Sequence, residues 1–308
     1  MTALITFDGD APTIVNNTFP SQRFVPRRRR LDSLGRELGR GSFSTVCEYT
    51  LVTGETQAAK VYHMDVPSDD CHPIRREAFI LRTLQGEKGF APHIVKCYGV
   101  EVVVDQGEEV VLLKLERIEG SSLEKILEQK MLGDFSFFEI MDKVCIALDY
   151  TKSRKIAHND LKPSNIMVTK NGEVRLIDWG LAHPAYRNSW SSKGTFAGTL
   201  QYMSPEQAQG KQTGPPTDWF ACGAILYEGL TGNLIHGEQK SPGATLQSAA
   251  SFSDKRWRLA AEEIRDLGYE ELVRPFKHVT NPVERYRKLE PLAEYLSQYR
   301  ELSRLSTL

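Results

Sequence analysis

The sequence has no CxxC pair, and its five cysteines, Cys47, Cys71, Cys97, Cys145 and Cys222, are odd in number and widely spaced. That excludes a disulfide framework and a cysteine-based zinc site as organising devices, and isolated thiols in apolar runs point to a reducing interior. No apolar run reaches membrane-spanning length, and the N-terminus has no signal-peptide pattern, so a cytoplasmic protein without a membrane span is expected. Neither sign of charge is in excess. A net charge of -1 gives no reason to expect nucleic acid or a membrane surface as the main partner. What remains is an ordinary soluble composition, 26% charged and 40% apolar. A chain of 308 residues can bury a large core, as one two-lobed domain or two small ones.

Residues 1–33 read as a flexible extension. Pro12, Pro20 and Pro26 interrupt them, and their short apolar groups keep no period. Arg27 to Arg30 form a basic run, which fits a nuclear signal or anionic docking patch on one reading and a solvated tail beside a domain boundary on the other. The folded domain is expected to start near Leu34.

The most informative stretch is His158 to Gly180, HNDLKPSNIMVTKNGEVRLIDWG. Two strand-like runs, Ile166 to Val168 and Val174 to Ile177, flank Lys170-Asn171-Gly172-Glu173, and Asn-Gly is a strong hairpin signal because both residues tolerate positive φ. A hairpin there brings Asn165 and Asp178 to one end, near Asp160. Two carboxylates and an amide then converge. This is an oxygen set suited to Mg²⁺, with one carboxylate left to orient a hydroxyl.

These residues resemble the catalytic and metal-binding loops of the eukaryotic-type protein kinase family, H-R-D-L-x-x-x-N followed by D-F-G. Two positions depart: Asn159 stands where most members have Arg, and Trp179 where most have Phe. Small-molecule kinases of the aminoglycoside and choline type carry similar loops, often ending I-D-W.

Further motifs extend the resemblance over roughly residues 34 to 300. Leu38-Gly39-Arg40-Gly41-Ser42-Phe43-Ser44-Thr45-Val46 is similar to the glycine-rich loop, in which glycines let backbone N–H groups approach phosphate oxygens. Ser44 replaces the third glycine. Ala58-Ala59-Lys60 follows in a strand candidate, Thr56 to Tyr62. Arg75 to Leu84 has helical periodicity and carries Glu77, the expected partner of Lys60. The resemblance assigns Val46 and Ala58 to the adenine pocket, Met167 to ATP binding and Lys60 to the α- and β-phosphates. It makes Leu115 the gatekeeper and Glu116, Arg117 and Ile118 the adenine-binding hinge. Ile94–Val100, Glu101–Asp105 and Val110–Leu115, with a turn at Gln106-Gly107-Glu108, are expected to complete a five-stranded antiparallel sheet.

Beyond the hinge the pattern is mainly helical. Glu119 to Leu123 reads as a serine-capped helix start. Phe135 to Lys152 places Phe138, Met141, Val144, Cys145 and Leu148 at helical steps, as a buried helix does. The resemblance makes His158 a packing residue beneath Trp179, not a proton shuttle. Asp178 to Glu206 resembles an activation segment containing Ser189, Ser191, Ser192, Thr195 and Thr199, and it ends Gly198-Thr199-Leu200-Gln201-Tyr202-Met203-Ser204-Pro205-Glu206, similar to the region that seats a protein substrate. Small-molecule kinases do not carry that region. Asp218 fits the aspartate that ties down the catalytic loop, and Arg285 the arginine that pairs with Glu206. The last helix, from about Glu290, fits a closing helix or a short coiled coil.

The fold implied is α+β and two-lobed: an N-lobe over about 34–115 with a five-stranded antiparallel sheet and one helix, a hinge over about 116–120, and a mainly helical C-lobe over about 121–303. The activity implied is ATP-dependent phosphorylation of a Ser/Thr hydroxyl on a protein substrate. Asp160 orients the hydroxyl, Lys162 meets the γ-phosphate, Thr199 braces both, and Asn165 and Asp178 hold Mg²⁺. Leu161 to Asn165 favours Ser/Thr over Tyr. Because Asn159 cannot receive a loop phosphate as Arg does, strict dependence on activation-loop phosphorylation is not expected. The alternatives are a pseudokinase that binds ATP as a scaffold, and a small-molecule kinase.

Overall fold

A computed structural model describes residues 5–8, 11–14, 34–41, 44–51, 53–62, 73–86, 89–105, 108–130, 134–184, 187–188, 199–252, 254–280 and 296. Ser42, Phe43, Cys71, the run Arg27 to Arg30, the loop residues Ser189, Ser191, Ser192, Thr195 and Gly198, Arg285, and all of the expected last helix except Leu296 lie outside the described residues. The chain divides into two compact units. The first takes residues up to 91, 95–119 and 178–180; the second takes 92–94, 120–177 and 181 onward.

The first unit contains a short hairpin, β1 (Ile5–Asp8) with β2 (Ala11–Ile14), in a region expected to have no regular structure. Its main element is a five-stranded antiparallel sheet. The strands are β3 (Leu34–Arg40), β4 (Ser44–Thr50), β5 (Thr56–Tyr62), β6 (Cys97–Asp105) and β7 (Glu108–Leu115), in the order β3-β4-β5-β7-β6. The strand count agrees with expectation, but the membership differs. Ile94–Val100 and Glu101–Asp105 are not two strands: β6 runs from Cys97 through Gly99, where φ is +117° and the register shifts, straight into Asp105. The place left over is filled by β3, whose last three residues, Leu38, Gly39 and Arg40, open the expected glycine-rich loop, and Ser44, Thr45 and Val46 of that loop begin β4. Tyr49, Ala59, Val103 and Leu112 form a buried cluster, with Leu34, Leu51, Val61 and Val110 packed against it. Helix α1 (Pro73–Gln85) packs on β6 and β7 and buries Ile74, Ala78, Leu81 and Leu84 at helical spacing.

The second unit is mainly helical. Short β8 (Gly120–Ser122) leads into α2 (Leu123–Glu128), whose N-cap Ser122 accepts a hydrogen bond from Lys125 N–H. Helix α3 (Asp134–Ser153) buries Phe138, Met141, Val144, Cys145 and Leu148. After β9 (Ile156–Ala157) come β10 (Ile166–Thr169) and β11 (Val174–Leu176), the expected hairpin, paired Ile166↔Leu176 and Val168↔Val174. Its turn uses positive φ only at Gly172 (+74°) and not at Asn171, so it is a longer connection rather than a two-residue Asn-Gly turn. Strand β8 adds to β10, and a Cβ at Gly120 would overlap the Val168 carbonyl, so only glycine fits there. Strand β12 (His183–Pro184) pairs with β9, and β13 (Arg187–Asn188) with β14 (Gln212–Thr213), which follows α4 (Pro205–Ala208). Helix α5 (Pro215–Thr231) is buried from Pro215 through Tyr227 and packs on α3 and on α8 (Val273–Thr280). Helices α6 (Pro242–Ala250) and α7 (Asp254–Asp266) complete the unit. Among the described residues no helix is long and apolar enough to cross a membrane.

Candidate active site

In the first unit the site is built on β5, the central strand of the sheet. Lys60 sits opposite Val46 on β4 and Leu113 on β7. Its ammonium is buried, 2.8 Å from Glu77 Oε2 on α1 and 2.6 Å from Asp178 Oδ1. Burial opposes the charged form, but the two carboxylates outweigh it and raise the Lys60 pKa above its ordinary value. Glu77 is fully buried and receives three donors: Lys60 Nζ, the Tyr62 hydroxyl at 2.7 Å, and the Trp179 backbone N–H at 3.1 Å. The Arg76 guanidinium donates to the Gly180 carbonyl. Asp178 itself has φ +60°, a conformation that Asp tolerates better than most residues.

The expected nucleotide-binding residues of this unit fall on β3, β4, β5 and the segment after β7. Leu38, Gly39 and Arg40 end β3, with Arg40 paired to Glu37 at 2.7 Å. The Gly41 N–H donates to the Ser44 carbonyl at 2.8 Å, and Ser44 and Val46 open β4. Ala58 lies opposite Leu115, and both are buried. Beyond β7, the Glu116 N–H donates to the Lys96 carbonyl at 2.8 Å. Arg117 reaches Glu48 at 2.9 Å and Glu119 at 2.5 Å, and Ile118 is half-buried between them in sequence.

In the second unit the segment from His158 to Asn165 is held by the Asp218 carboxylate and by hydrogen bonds of amides and backbone groups. Buried Asp218 accepts the backbone N–H groups of His158 (2.7 Å) and Asn159 (2.9 Å). Burial pushes its pKa up to about 6, although His158 and the two N–H groups pull it down. His158 does more than pack. In the Nε2–H tautomer it donates to the Ile177 carbonyl at 3.0 Å while Nδ1 accepts the Asp160 N–H at 3.3 Å. Asn159, at φ +65°, donates its side-chain amide to the carbonyls of Ala157 (3.2 Å) and Leu181 (3.3 Å). Its own carbonyl accepts Gln207 Nε2 at 2.8 Å.

Asp160 is thereby fixed at its backbone, and its carboxylate is fixed separately. Oδ1 accepts the Thr199 N–H (2.9 Å) and hydroxyl (3.1 Å), and Oδ2 lies 3.1 Å from Lys162 Nζ. Lys162 also donates to the Thr199 hydroxyl at 2.8 Å. The Asn165 amide nitrogen donates to the Asp160 carbonyl at 2.8 Å. The Ile177 N–H donates to the Asn165 carbonyl at 2.9 Å, and Met167 lies on β10 opposite Ser122. Asn159, Asp160, Thr199, Tyr202, Gln207 and Asp218 line a small cavity here.

Lys60, Glu77 and Asp178 therefore meet in one cluster, and Asp160, Lys162, Asn165 and Thr199 in another. Tyr62 and Gln207 were not anticipated. Tyr62 was legible in principle, since residues two apart on a strand share a face. Gln207 was not, because nothing local links it to Asn159.

With this geometry established, sequence comparison shows that the protein kinase domain family matches residues 33–301, and the chain belongs to that family. Similar proteins include the "Probable serine/threonine-protein kinase PknB" of Lactococcus lactis, 32% identical over 204 residues, covering 65% of this chain and 31% of the relative. The protein of the same name from Bifidobacterium longum is 34% identical, covering 65% of this chain and 30% of the relative. The "Serine/threonine-protein kinase STE7 homolog" of Candida albicans is 31% identical, with 66% and 34% covered. The aligned part of this chain thus spans about a third of the length of these curated relatives.

Proposed function

We propose that the chain is a serine/threonine protein kinase that transfers the γ-phosphate of Mg·ATP to a Ser or Thr hydroxyl of a protein. The observation that supports this best is the bracing of Asp160. A carboxylate meant to orient a hydroxyl must be fixed without being neutralised by a bidentate cation. Thr199 supplies two donors to Oδ1, and Lys162 approaches Oδ2 while sharing its protons with Thr199. Lys162 is then positioned to stabilise charge on a transferring phosphoryl group. Lys60, held by Glu77, is assigned to the nucleotide phosphates. Leu38, Gly39, Arg40, Gly41, Ser42, Phe43, Ser44, Val46, Ala58, Leu115, Glu116, Ile118 and Met167 are assigned to ATP.

Asn165 and Asp178 are assigned as Mg²⁺ ligands from their donor chemistry and order in the sequence. The fit is good: the Asn165 nitrogen is committed elsewhere, and the Asp178 side chain is 45% exposed although it bonds Lys60. The ion, when bound, neutralises phosphate charge. The free thiols Cys47, Cys97, Cys145 and Cys222 fit a reducing, cytoplasmic location. Control is assigned to neutral contacts. Asn159 ties the loop to Leu181 by a hydrogen bond that needs no phosphate, which supports activity without strict dependence on loop phosphorylation.

The test is transfer of labelled γ-phosphate by wild type and Asp178→Asn to casein, a peptide library and the chain itself. Transfer to Ser or Thr by wild type alone is expected. Wild type that binds Mg·ATP yet labels no protein would overturn the reading in favour of a scaffold or, if a metabolite is labelled, a small-molecule kinase.

A further inference from the structure

We propose that Tyr62 is a positioning residue that keeps α1 and segment 178–180 docked on β5 whether or not Lys60 remains bound to Glu77. The proposal rests on the kinase reading for its bearing on catalysis, and on contacts within the first unit for its substance. Lys60 and Tyr62 are two apart on β5 and share a face. Both donate to the same oxygen of Glu77, at 2.8 and 2.7 Å. The Lys60 ammonium also lies 5.4 Å from the centre of the Tyr62 ring, so Tyr62 touches both members of the pair.

The two donors differ in what else they must do. The ammonium is already divided between Glu77 and Asp178, and a phosphate would claim it further. The Tyr62 hydroxyl has one proton, and that proton goes to Glu77. A fully buried carboxylate deprived of donors is costly, so Glu77 would be driven out of its site if Lys60 were its only side-chain partner. Tyr62 removes that dependence. Because Glu77 also accepts the Trp179 N–H, and its neighbour Arg76 donates to the Gly180 carbonyl, holding Glu77 holds segment 178–180 as well. Gly180 sits over the cluster: a Cβ there would lie 3.7 Å from both the Tyr62 hydroxyl and Glu77 Oε2.

The experiment compares amide hydrogen exchange in full-length wild type, Lys60→Met, Tyr62→Phe and the double variant. Lys60→Met alone should leave α1 and 178–180 within about threefold of wild-type exchange, whereas the double variant should exchange there about thirtyfold faster, with α3 and α5 unchanged. In parallel, Tyr62→Phe alone should lower kcat about tenfold with the KM for ATP nearly unchanged. A double variant that exchanges like Lys60→Met overturns the proposal, and so does acceleration spread evenly over α3 and α5, which would mark a plain stability role. The exchange measurement needs no phosphotransfer, so a wild type without kinase activity defeats the functional reading while exchange still decides the role of Tyr62.

Discussion

Glu77 and Asp218 are both fully buried carboxylates, one in each unit, and they are satisfied in opposite ways. Glu77 is met by a cation, a hydroxyl and one backbone N–H. Asp218 is met by two backbone N–H groups. The first arrangement compensates charge with charge, and on the proposed reading it holds ready the ammonium assigned to the nucleotide phosphates. The second uses peptide dipoles to fix the course of a backbone, and the charge it buries is left poorly compensated. That difference is visible in the pKa of Asp218, pushed up to about 6. Buried ion pairs are fragile to the loss of one member, whereas dipole-held carboxylates are sensitive to pH.

The largest effect should come from breaking the ion pair. Glu77→Ala leaves a buried ammonium with only part of its compensation and removes the acceptor for Tyr62 and the Trp179 N–H. A loss of about 3–5 kcal/mol is expected, read by urea unfolding, with phosphotransfer reduced by about two orders of magnitude or more. A Glu77→Ala protein within about 1 kcal/mol of wild type would show that the pair does not hold the first unit together.

The second effect concerns pH, and two groups of the second unit oppose each other. Asp218 ordinarily ionises near 3.8 and here near 6, so between those values the folded state keeps a proton the unfolded chain has released. Its contribution to stability is therefore greatest below pH 4 and is lost as pH rises through 6. His236 is buried against Phe220 and Phe252, with Nε2 2.9 Å from the Met203 carbonyl. Burial lowers its pKa from 6.5 to about 4, so its contribution is full above pH 6.5 and is lost as pH falls through 4. Each amounts to about 3 kcal/mol, and in wild type they largely offset. Asp218→Asn should expose the His236 slope, with stability rising from pH 4 to 6.5, and His236→Gln should expose the opposite slope. Parallel pH profiles for the two variants would sink the idea.

How much of this was legible beforehand follows from distance along the chain. Lys60, Glu77, Asp160, Asn165 and Asp178 are marked by local patterns, and the hairpin of β10 and β11 announces itself through Asn171-Gly172. The sheet was legible in strand count and sense but not in membership. The stretch from Ile94 to Val104 carries Lys96, Gly99 and Glu101, which do not mark where the strand begins; Ile94 is drawn instead into a bridge with Leu176, far along the chain, and the strand starts at Cys97 and passes through Gly99. Tyr62 could be placed on the face of Lys60 by alternation, but only the fold brings Glu77 to it. Gln207 on the Asn159 carbonyl, and Thr213 on His183, join residues with no common motif.

A smaller, third effect probes the second unit where Thr199 meets the Asp160–Lys162 pair. Thr199→Ala removes a hydroxyl that donates to Asp160 and accepts from Lys162, while the backbone N–H remains. A fall in kcat of about 10- to 100-fold is expected, with Thr199→Ser restoring most of it. Equal loss in both variants would mean that the methyl group, not the hydroxyl, matters.

The smallest effect is the sharpest test of the comparison. If backbone dipoles and side-chain amides suffice to hold the second unit's loop, a phosphate should add little. Asn159 is bound at its N–H by Asp218, at its carbonyl by Gln207, and through its side chain to Ala157 and Leu181. A cationic side chain in that position would leave a charge to be neutralised, and a loop phosphate could supply the neutralisation; an amide leaves none. Replacing Ser189, Ser191, Ser192 and Thr195 together by alanine should therefore keep kcat/KM within about threefold of wild type, a change below about 1 kcal/mol. Collapse of activity in that variant, with recovery on single restoration of one hydroxyl, would show that the neutral contacts are not enough and that the loop is switched by charge after all.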